Sequence, residues 1–163
     1  MKQLYLVRHA KSAWDNPSLS DIERPLNKRG LKNAPDMADR LEALGTKVDL
    51  IISSPANRAL TTAQYLASAI GYDKQQIKQQ PSLYFEGTSS MLTAIKGTSS
   101  DIQSLMLVGH NPDMTSLFNS LCGHQTYNMP TCAIASIQFD KNWSQIEYND
   151  GIIIKYDFPK NKL

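Results

Sequence analysis

Three short, largely apolar runs punctuate the chain: Leu4-Tyr5-Leu6-Val7, Val48-Asp49-Leu50-Ile51-Ile52-Ser53 and Leu105-Met106-Leu107-Val108. They are too short for helices and do not alternate, so they read as strands buried on both faces. Between them the period changes. Asn27 can cap a helix that runs to about Leu44 and stops at Gly45, with Pro35 inside it predicting a kink or a restart. Ser54-Pro55 turns the chain into a helix from about Ala56 to Ile70, closed by Gly71, with Leu60, Ala63, Ala67 and Ile70 spaced to face the sheet. Thr88 or Ser89 can cap a short helix through Ile95, closed by Gly97, and Pro112 suits the first turn of a helix running to about Cys122, with Gly123 after it. The polar stretch Ser12–Pro25 has no sustained period and reads as a long loop, which in a compact domain is usually functional or disordered. After Gly123 the pattern changes again. Ala133–Phe139, Ser144–Tyr148 and Ile152–Phe158 are strand-like and separated by turn-forming Asp140-Lys141-Asn142 and Asn149-Asp150-Gly151. The alternation predicts an α/β protein: a three-layer α/β/α sandwich on a mostly parallel sheet, with antiparallel strands added at one edge by the C-terminal meander.

The length of 163 residues is that of one domain, expected to span residues 1–163. A chain of this size buries roughly 70% of its unfolded surface and needs no metal or disulfide to hold a core. The formal charge of +2 comes with no basic arm or tract, so neither nucleic acid nor a membrane surface is indicated as a partner. No stretch approaches the roughly 20 apolar residues of a membrane span, and Met1-Lys2-Gln3 followed by a brief apolar run lacks the features of a signal peptide. A cytoplasmic location is expected. In a reducing compartment Cys122 and Cys132 read as free thiols, and neither is given a role.

The chemistry gathers at the ends of the three strands, where ligands bind in open α/β sheets. The first strand delivers Arg8-His9, the second Ser53-Ser54-Pro55 followed by Arg58, and the third His110. Two arginines and two histidines converging on one crevice make an anion site, because guanidinium offers a planar fork of donors that matches phosphate oxygens. The helix starts after Pro55 and Pro112 add unpaired N–H groups. Taken singly, His9 and His110 would be read as core histidines. A zinc site from His9, His110 and His124 is disfavoured by the two arginines and by the absence of ligand spacing. His124 suits a helix C-terminus instead.

Leu-Val-Arg8-His9-Ala-Lys, Ser-Ser-Pro-x-x-Arg58-Ala-x-x-Thr-Ala and Val-Gly-His110-Asn-Pro, in this order, resemble the histidine phosphatase superfamily, whose fold is phosphoglycerate mutase-like. The loop Ser20–Gly30 is similar to that of the small branch containing the SixA-type phosphohistidine phosphatases. The resemblance implies that His9 is the nucleophile. Its ring nitrogen would attack phosphorus, form a phosphoenzyme and lose the phosphoryl group to water. It implies that Arg8, Arg58 and His110 hold the equatorial oxygens, where charge accumulates. The arginines would also disfavour protonation of His9, and its other ring nitrogen needs an acceptor, expected to be a backbone carbonyl.

The sequence also departs from the family pattern. Mutase-like members place an acid where Phe85 stands here, one residue before Glu86. Glu86 is therefore one candidate for the acid that protonates the leaving group, and a solvated loop carboxylate is the competing reading. Asp21, which matches an aspartate of the SixA-like loop, is the other candidate. A nitrogen leaving group, as in phosphohistidine, departs more readily than an alkoxide and can do without a strong acid. Asp15 stands where mutase-like relatives carry an asparagine, which disfavours mutase activity, as does the lack of a capping insertion. Ser12 either touches phosphate or caps the loop. Arg24 reads as structural, pairing with Glu23 or Asp21 or tying the loop to the sheet. Lys11 either adds positive field or is solvated, and Trp14 and Tyr84 either line the mouth or anchor packing. Asn111 shapes the turn before Pro112.

The expected activity is that of a phosphoric monoester or phosphoamide hydrolase acting on a phosphorylated protein, most readily phosphohistidine, in an open site. The alternatives are a small-molecule phosphomonoesterase on the same site and a phosphate-binding module without turnover. No metal or other cofactor is expected, and the chain is expected to act as a monomer.

Overall fold

The computed structural model describes residues 1–161. Ten regular elements alternate along the chain: strand β1 (Lys2–Arg8), helix α1 (Lys28–Ala43), β2 (Leu50–Ser53), α2 (Asn57–Ala69), β3 (Lys78–Gln79), α3 (Thr88–Lys96), β4 (Ser104–Gly109), α4 (Asp113–Cys122), β5 (Ile134–Phe139) and β6 (Ile152–Asp157). They build one six-stranded sheet in the order β3-β2-β4-β1-β5-β6. The pairs β3–β2, β2–β4 and β4–β1 are parallel, whereas β1–β5 and β5–β6 are antiparallel.

Successive side chains of a strand point to opposite faces, and here both faces are covered. Leu4, Leu6, Leu105 and Leu107 pack against Met91 and Ile95 of α3 and Met114, Leu117 and Phe118 of α4. Tyr5, Val7, Met106 and Val108 pack against Ala34, Met37, Ala38 and Leu41 of α1 and Ala59, Ala63, Leu66 and Ala67 of α2. Burial on both sides is why these strands read as continuous apolar runs.

Several expectations are corrected. α1 runs unbroken through Pro35. Proline forfeits one backbone hydrogen bond, but Ala34, Met37, Ala38 and Leu41 form one buried stripe that carries the helix through. In α2, Leu60 is only half-buried, and Ala59 and Leu66 join Ala63, Ala67 and Ile70 on the inner face. β2 starts at Leu50 because Asp49 accepts the N–H groups of Gln103 and Ser104 with its carboxylate at the sheet margin. Pro112 caps α4 rather than opening it, and Gly87 rather than Thr88 or Ser89 caps α3. Ser144–Tyr148 is not a strand. A 3-10 turn spans Trp143–Gln145, where the buried Trp143 and Ile146, three residues apart, plug the core beside α3. Trp143 Nε1 donates to Ile102 O at 2.6 Å.

Candidate active site

Parallel pairing sets the C-terminal ends of β1, β4 and β2 level. Arg8 aligns with Gly109, Val7 with Val108, and Ser53 with Val108. His9, His110 and Ser54 therefore leave the sheet side by side. The imidazoles of His9 and His110 lie 5.0 Å apart, centroid to centroid. Arg8, His9, Ser12, Asp21, Arg24 and Arg58 line one shallow cleft of about 330 Å³, with Lys11, Trp14, Phe85, Asn111 and Thr131 around them. Two larger clefts, of about 490 and 460 Å³, lie elsewhere and contain none of these residues.

The site is fixed largely by backbone. Cys132 N–H reaches the carbonyls of Arg8 and His9 at 3.0 Å, and His9 N–H donates to Gly109 O. Thr62 of α2 ties two parts together, since its hydroxyl donates to Arg58 O at 2.8 Å and accepts Ala10 N–H at 3.0 Å. α1 packs its start directly against the segment after His9. Asn27 caps the helix by accepting Gly30 N–H, and its own N–H donates to Lys11 O.

His9 is buried, and its Nδ1 lies 2.7 Å from Ala10 O. A carbonyl can only accept, so Nδ1 carries the proton and Nε2 is left with a lone pair. Burial, with Arg58, Arg8 and Arg24 nearby, lowers its pKa to about 4 against the upward pull of the Ala10 carbonyl. Burial and the neighbouring His9 and Arg58 likewise take His110 down to about 3. Both rings are neutral at physiological pH. His110 Nε2 meets Ser54 Oγ at 2.8 Å. That oxygen already accepts Ala56 N–H, so its own hydrogen can go to Nε2, leaving the proton of His110 on Nδ1. Among the described residues, two buried side-chain atoms have no hydrogen-bond partner: Arg8 Nε and His110 Nδ1. Both belong to this cluster. Arg8 is otherwise steadied by Nη1 donating to Met129 O at 2.8 Å, and burial lowers its pKa from a value so high that the group stays charged.

Arg58 is almost wholly buried and donates twice to Asp21, from Nη1 to the backbone O at 2.7 Å and from Nη2 to Oδ2 at 2.9 Å. The Asp21 carboxylate also accepts from Tyr84 OH at 2.5 Å and Arg24 Nη1 at 3.0 Å. Partial burial pushes its pKa up, but these three donors outweigh it and bring it down to about 2. Arg24 extends the network by donating to Ala13 O and Ser12 Oγ. A neutral imidazole with a free lone pair, sharing one cleft with three guanidiniums, suits attack on a bound, multiply charged oxyanion.

Residues 4–84 match the family described as the histidine phosphatase superfamily (branch 1). A solved structure described as the putative phosphohistidine phosphatase SixA from Agrobacterium tumefaciens is 30% identical, with 97% of this chain and 98% of that one covered at a TM-score of 0.83. The chain belongs to the histidine phosphatase superfamily. An uncharacterised chloroplastic protein of Arabidopsis thaliana is 32% identical over 153 residues, covering 88% of this chain and 70% of that one. A mycobacterial glucosyl-3-phosphoglycerate phosphatase, 13% identical and covering 97% of this chain and all of that one, shares the fold at a TM-score of 0.72.

Within this histidine phosphatase, Arg8, His9, Arg58 and His110 come together as their strand-end positions predict. The two candidate acids separate. Asp21 lines the cleft but is held as a carboxylate by its three donors. Glu86 is exposed and outside the cleft lining, where Phe85 stands instead. Phe85 reaches the site because its backbone is left-handed, with φ of 57°, which turns its ring onto His110 and leaves the next side chain facing solvent. Asp15 is exposed and also outside the lining. Ser12 lines the cleft and is tied to Arg24 at 2.6 Å. Arg24 pairs with Asp21 and not with Glu23, whose carboxylate turns back to cap Ser20. His124 lies against Phe118 and Thr126, away from the other histidines. Burial raises the Cys122 and Cys132 thiols to about 11 and 12. Sequence reasoning missed Tyr84 as a donor to Asp21, and Thr62 and Gly30 as supports. The Thr-Ala that follows Arg58 in the second motif was the available signal for Thr62. No helix among the described residues is long and apolar enough to cross a membrane.

Proposed function

We propose that this protein is a phosphohistidine phosphatase acting on phosphorylated proteins through a covalent intermediate on His9. Nε2 of His9 attacks phosphorus in line, the bond from phosphorus to the leaving group breaks, and the leaving group takes the bonding pair and a proton. Water then attacks the phosphoryl group on Nε2, releasing inorganic phosphate and restoring neutral His9. Arg8, Arg58 and His110 Nδ1–H hold the equatorial oxygens as charge builds on them. At an effective dielectric near 20, a unit charge about 4 Å away is worth roughly 4 kcal/mol, enough for such clamps to supply much of the rate.

The observation that carries the substrate class is the state of the two carboxylates. Glu86 lies outside the cleft, and Asp21 is ionised down to about pH 2 by Tyr84, Arg58 and Arg24. A site without a protonated carboxyl group poorly serves an alkoxide leaving group. It serves a phosphorylated imidazole well, because such a ring can take a proton from solvent on its other nitrogen. A shallow cleft suits a phosphate presented on a protein surface.

The test is a panel of phosphohistidine protein, phosphoserine peptide and small sugar phosphates, with the intermediate trapped as an acid-labile label on His9. Phosphohistidine is expected to be hydrolysed best, and His9→Ala to abolish turnover and label while still binding phosphate. Hydrolysis of sugar phosphates with none of phosphohistidine would transfer the site to the small-molecule reading. Absence of turnover on every substrate, with phosphate still raising Tm, would leave the binding module.

A further inference from the structure

The floor of the cleft is cationic, but two of its walls are aromatic. Trp14 and Phe85 both line the cleft with His9, and they are 75% and 48% exposed. Neither ring is there to be buried, yet each is held in place by its neighbours. The Arg24 guanidinium lies 3.1 Å from the Trp14 ring centroid, and Arg24 is itself buried and held by Ala13, Ser12 and Asp21. Phe85 rests on His110, with centroids 4.6 Å apart, and on Tyr84 edge-to-face at 4.9 Å. Its φ of 57° is a conformation that bulky side chains rarely adopt and that persists only where the surroundings enforce it. Glycine would fit there without strain. The chain keeps a phenyl ring instead and presents it at the mouth.

We propose that Trp14 and Phe85 form an aromatic clamp that reads the leaving group, selecting phosphoryl groups carried on a planar ring, whether on a ring nitrogen or on a phenolic oxygen, with the phosphohistidine imidazole as the ring it serves. This rests on the phosphohistidine reading above and adds the shape that the site recognises. In-line attack from His9 at the floor puts the departing group on the far side of phosphorus, toward the mouth. A ring one or two bonds from phosphorus lies between the walls and can stack on them. The flexible chain of phosphoserine or phospholysine offers no face to stack.

The experiment separates the ring from the bond. Peptides of one sequence carrying phosphohistidine, phospholysine, phosphotyrosine or phosphoserine are compared on the wild type, Phe85→Gly, Trp14→Ala and Phe85→Tyr, reading kcat/KM. In Phe85→Gly and in Trp14→Ala, the histidine-to-lysine and tyrosine-to-serine ratios are each expected to fall about fivefold to tenfold, in line with one lost aromatic contact. Phe85→Tyr keeps both ratios. Glycine accepts the local backbone, so Phe85→Gly is not expected to fail in folding. Ratios that survive both truncations overturn the clamp, as does an equal loss on all four peptides, which is what a merely structural role predicts. The phosphohistidine reading fails separately: inert phosphohistidine and phospholysine peptides defeat it, and the tyrosine-to-serine ratio then decides the clamp alone.

Discussion

Gly30→Ala tests whether the contact between α1 and the segment after His9 sets the nucleophile. Gly30 lies in the first turn of α1, where alanine would ordinarily be preferred by about 1 kcal/mol. A Cβ there would fall 2.2 Å from Lys11 O and 3.1 Å from Lys11 C and N. Packed heavy atoms keep roughly 3.5 Å apart, so helix and segment must separate by about 1 Å. The displaced group is main chain and cannot rotate away. It is joined through one peptide to Ala10 O, the acceptor that orients the His9 ring. Overpacking costs about 1–3 kcal/mol, and with the helix gain set against it the variant should lose about 0–2 kcal/mol and remain folded. A misplacement of about 1 Å at the reacting group costs on the order of 10²-fold in rate. Urea unfolding would give the first number and phosphate release from a phosphohistidine peptide the second. A folded variant with kcat/KM within threefold of wild type would refute the idea that this contact positions His9.

Arg58→Ala is expected to lower kcat/KM by about 10²–10³-fold, the usual loss for one preorganised donor; near-normal kinetics would show that Arg58 serves only to hold Asp21. Asp21→Asn keeps the shape but cannot act as an acid, and it should change the phosphoryl-transfer step from phosphohistidine, read in a single turnover, by less than about fivefold, since an ionised carboxylate has no proton to give; a loss of 10²-fold or more in that step would make Asp21 the proton donor. The His9 ring, with its pKa lowered to about 4, should stay neutral from pH 8 to 5 by NMR, with His9→Asn used for assignment, and a midpoint between 6 and 7 would contradict the described site. The linked stability follows the same direction: unfolded His9 takes a proton below about pH 6.5 that the folded ring refuses, so from there to about pH 4 His9 contributes a loss of about 3 kcal/mol, to which His110, lowered in the same way, adds. His9→Asn should therefore lose about 3 kcal/mol less than the wild type between pH 7 and pH 4 in urea titrations.

What could be read from the sequence follows from how local the cause is. Strands buried on both faces, such as Leu4–Val7 and Leu105–Val108, declare themselves by composition, and the residues just after them inherit a place at the sheet edge. That is enough to bring Arg8, His9 and His110 together. β3 is two exposed residues, Lys78 and Gln79, paired only because β2 lies beside them, and it has no pattern to detect. Ser144–Tyr148 shows the opposite failure. Ile146 and Tyr148 alternate like a strand, yet the segment is ruled by Trp143 and Ile146 plugging the core. The Tyr84–Asp21–Arg58 network joins three distant segments through side-chain tips, and the left-handed Phe85 follows from tertiary packing against His110. No local spacing encodes either. The close approach of Gly30 to Lys11 is likewise visible only when helix and segment are placed together.

Arg58 is already paired before any phosphate arrives. With Asp21 on it through both a carbonyl and a carboxylate, an arriving phosphate replaces one anion by another, and what it gains is only the difference between them. Guanidinium does not titrate in the physiological range, so changing pH cannot loosen such a pocket. A carboxylate tethered beside it can. On the proposed mechanism, when inorganic phosphate has been cut from His9, Asp21 competes for Arg58 at an effective concentration that no solute matches. On that mechanism the loop that greets the substrate also favours product release, by offering the cationic site an anion in place of the ion it makes.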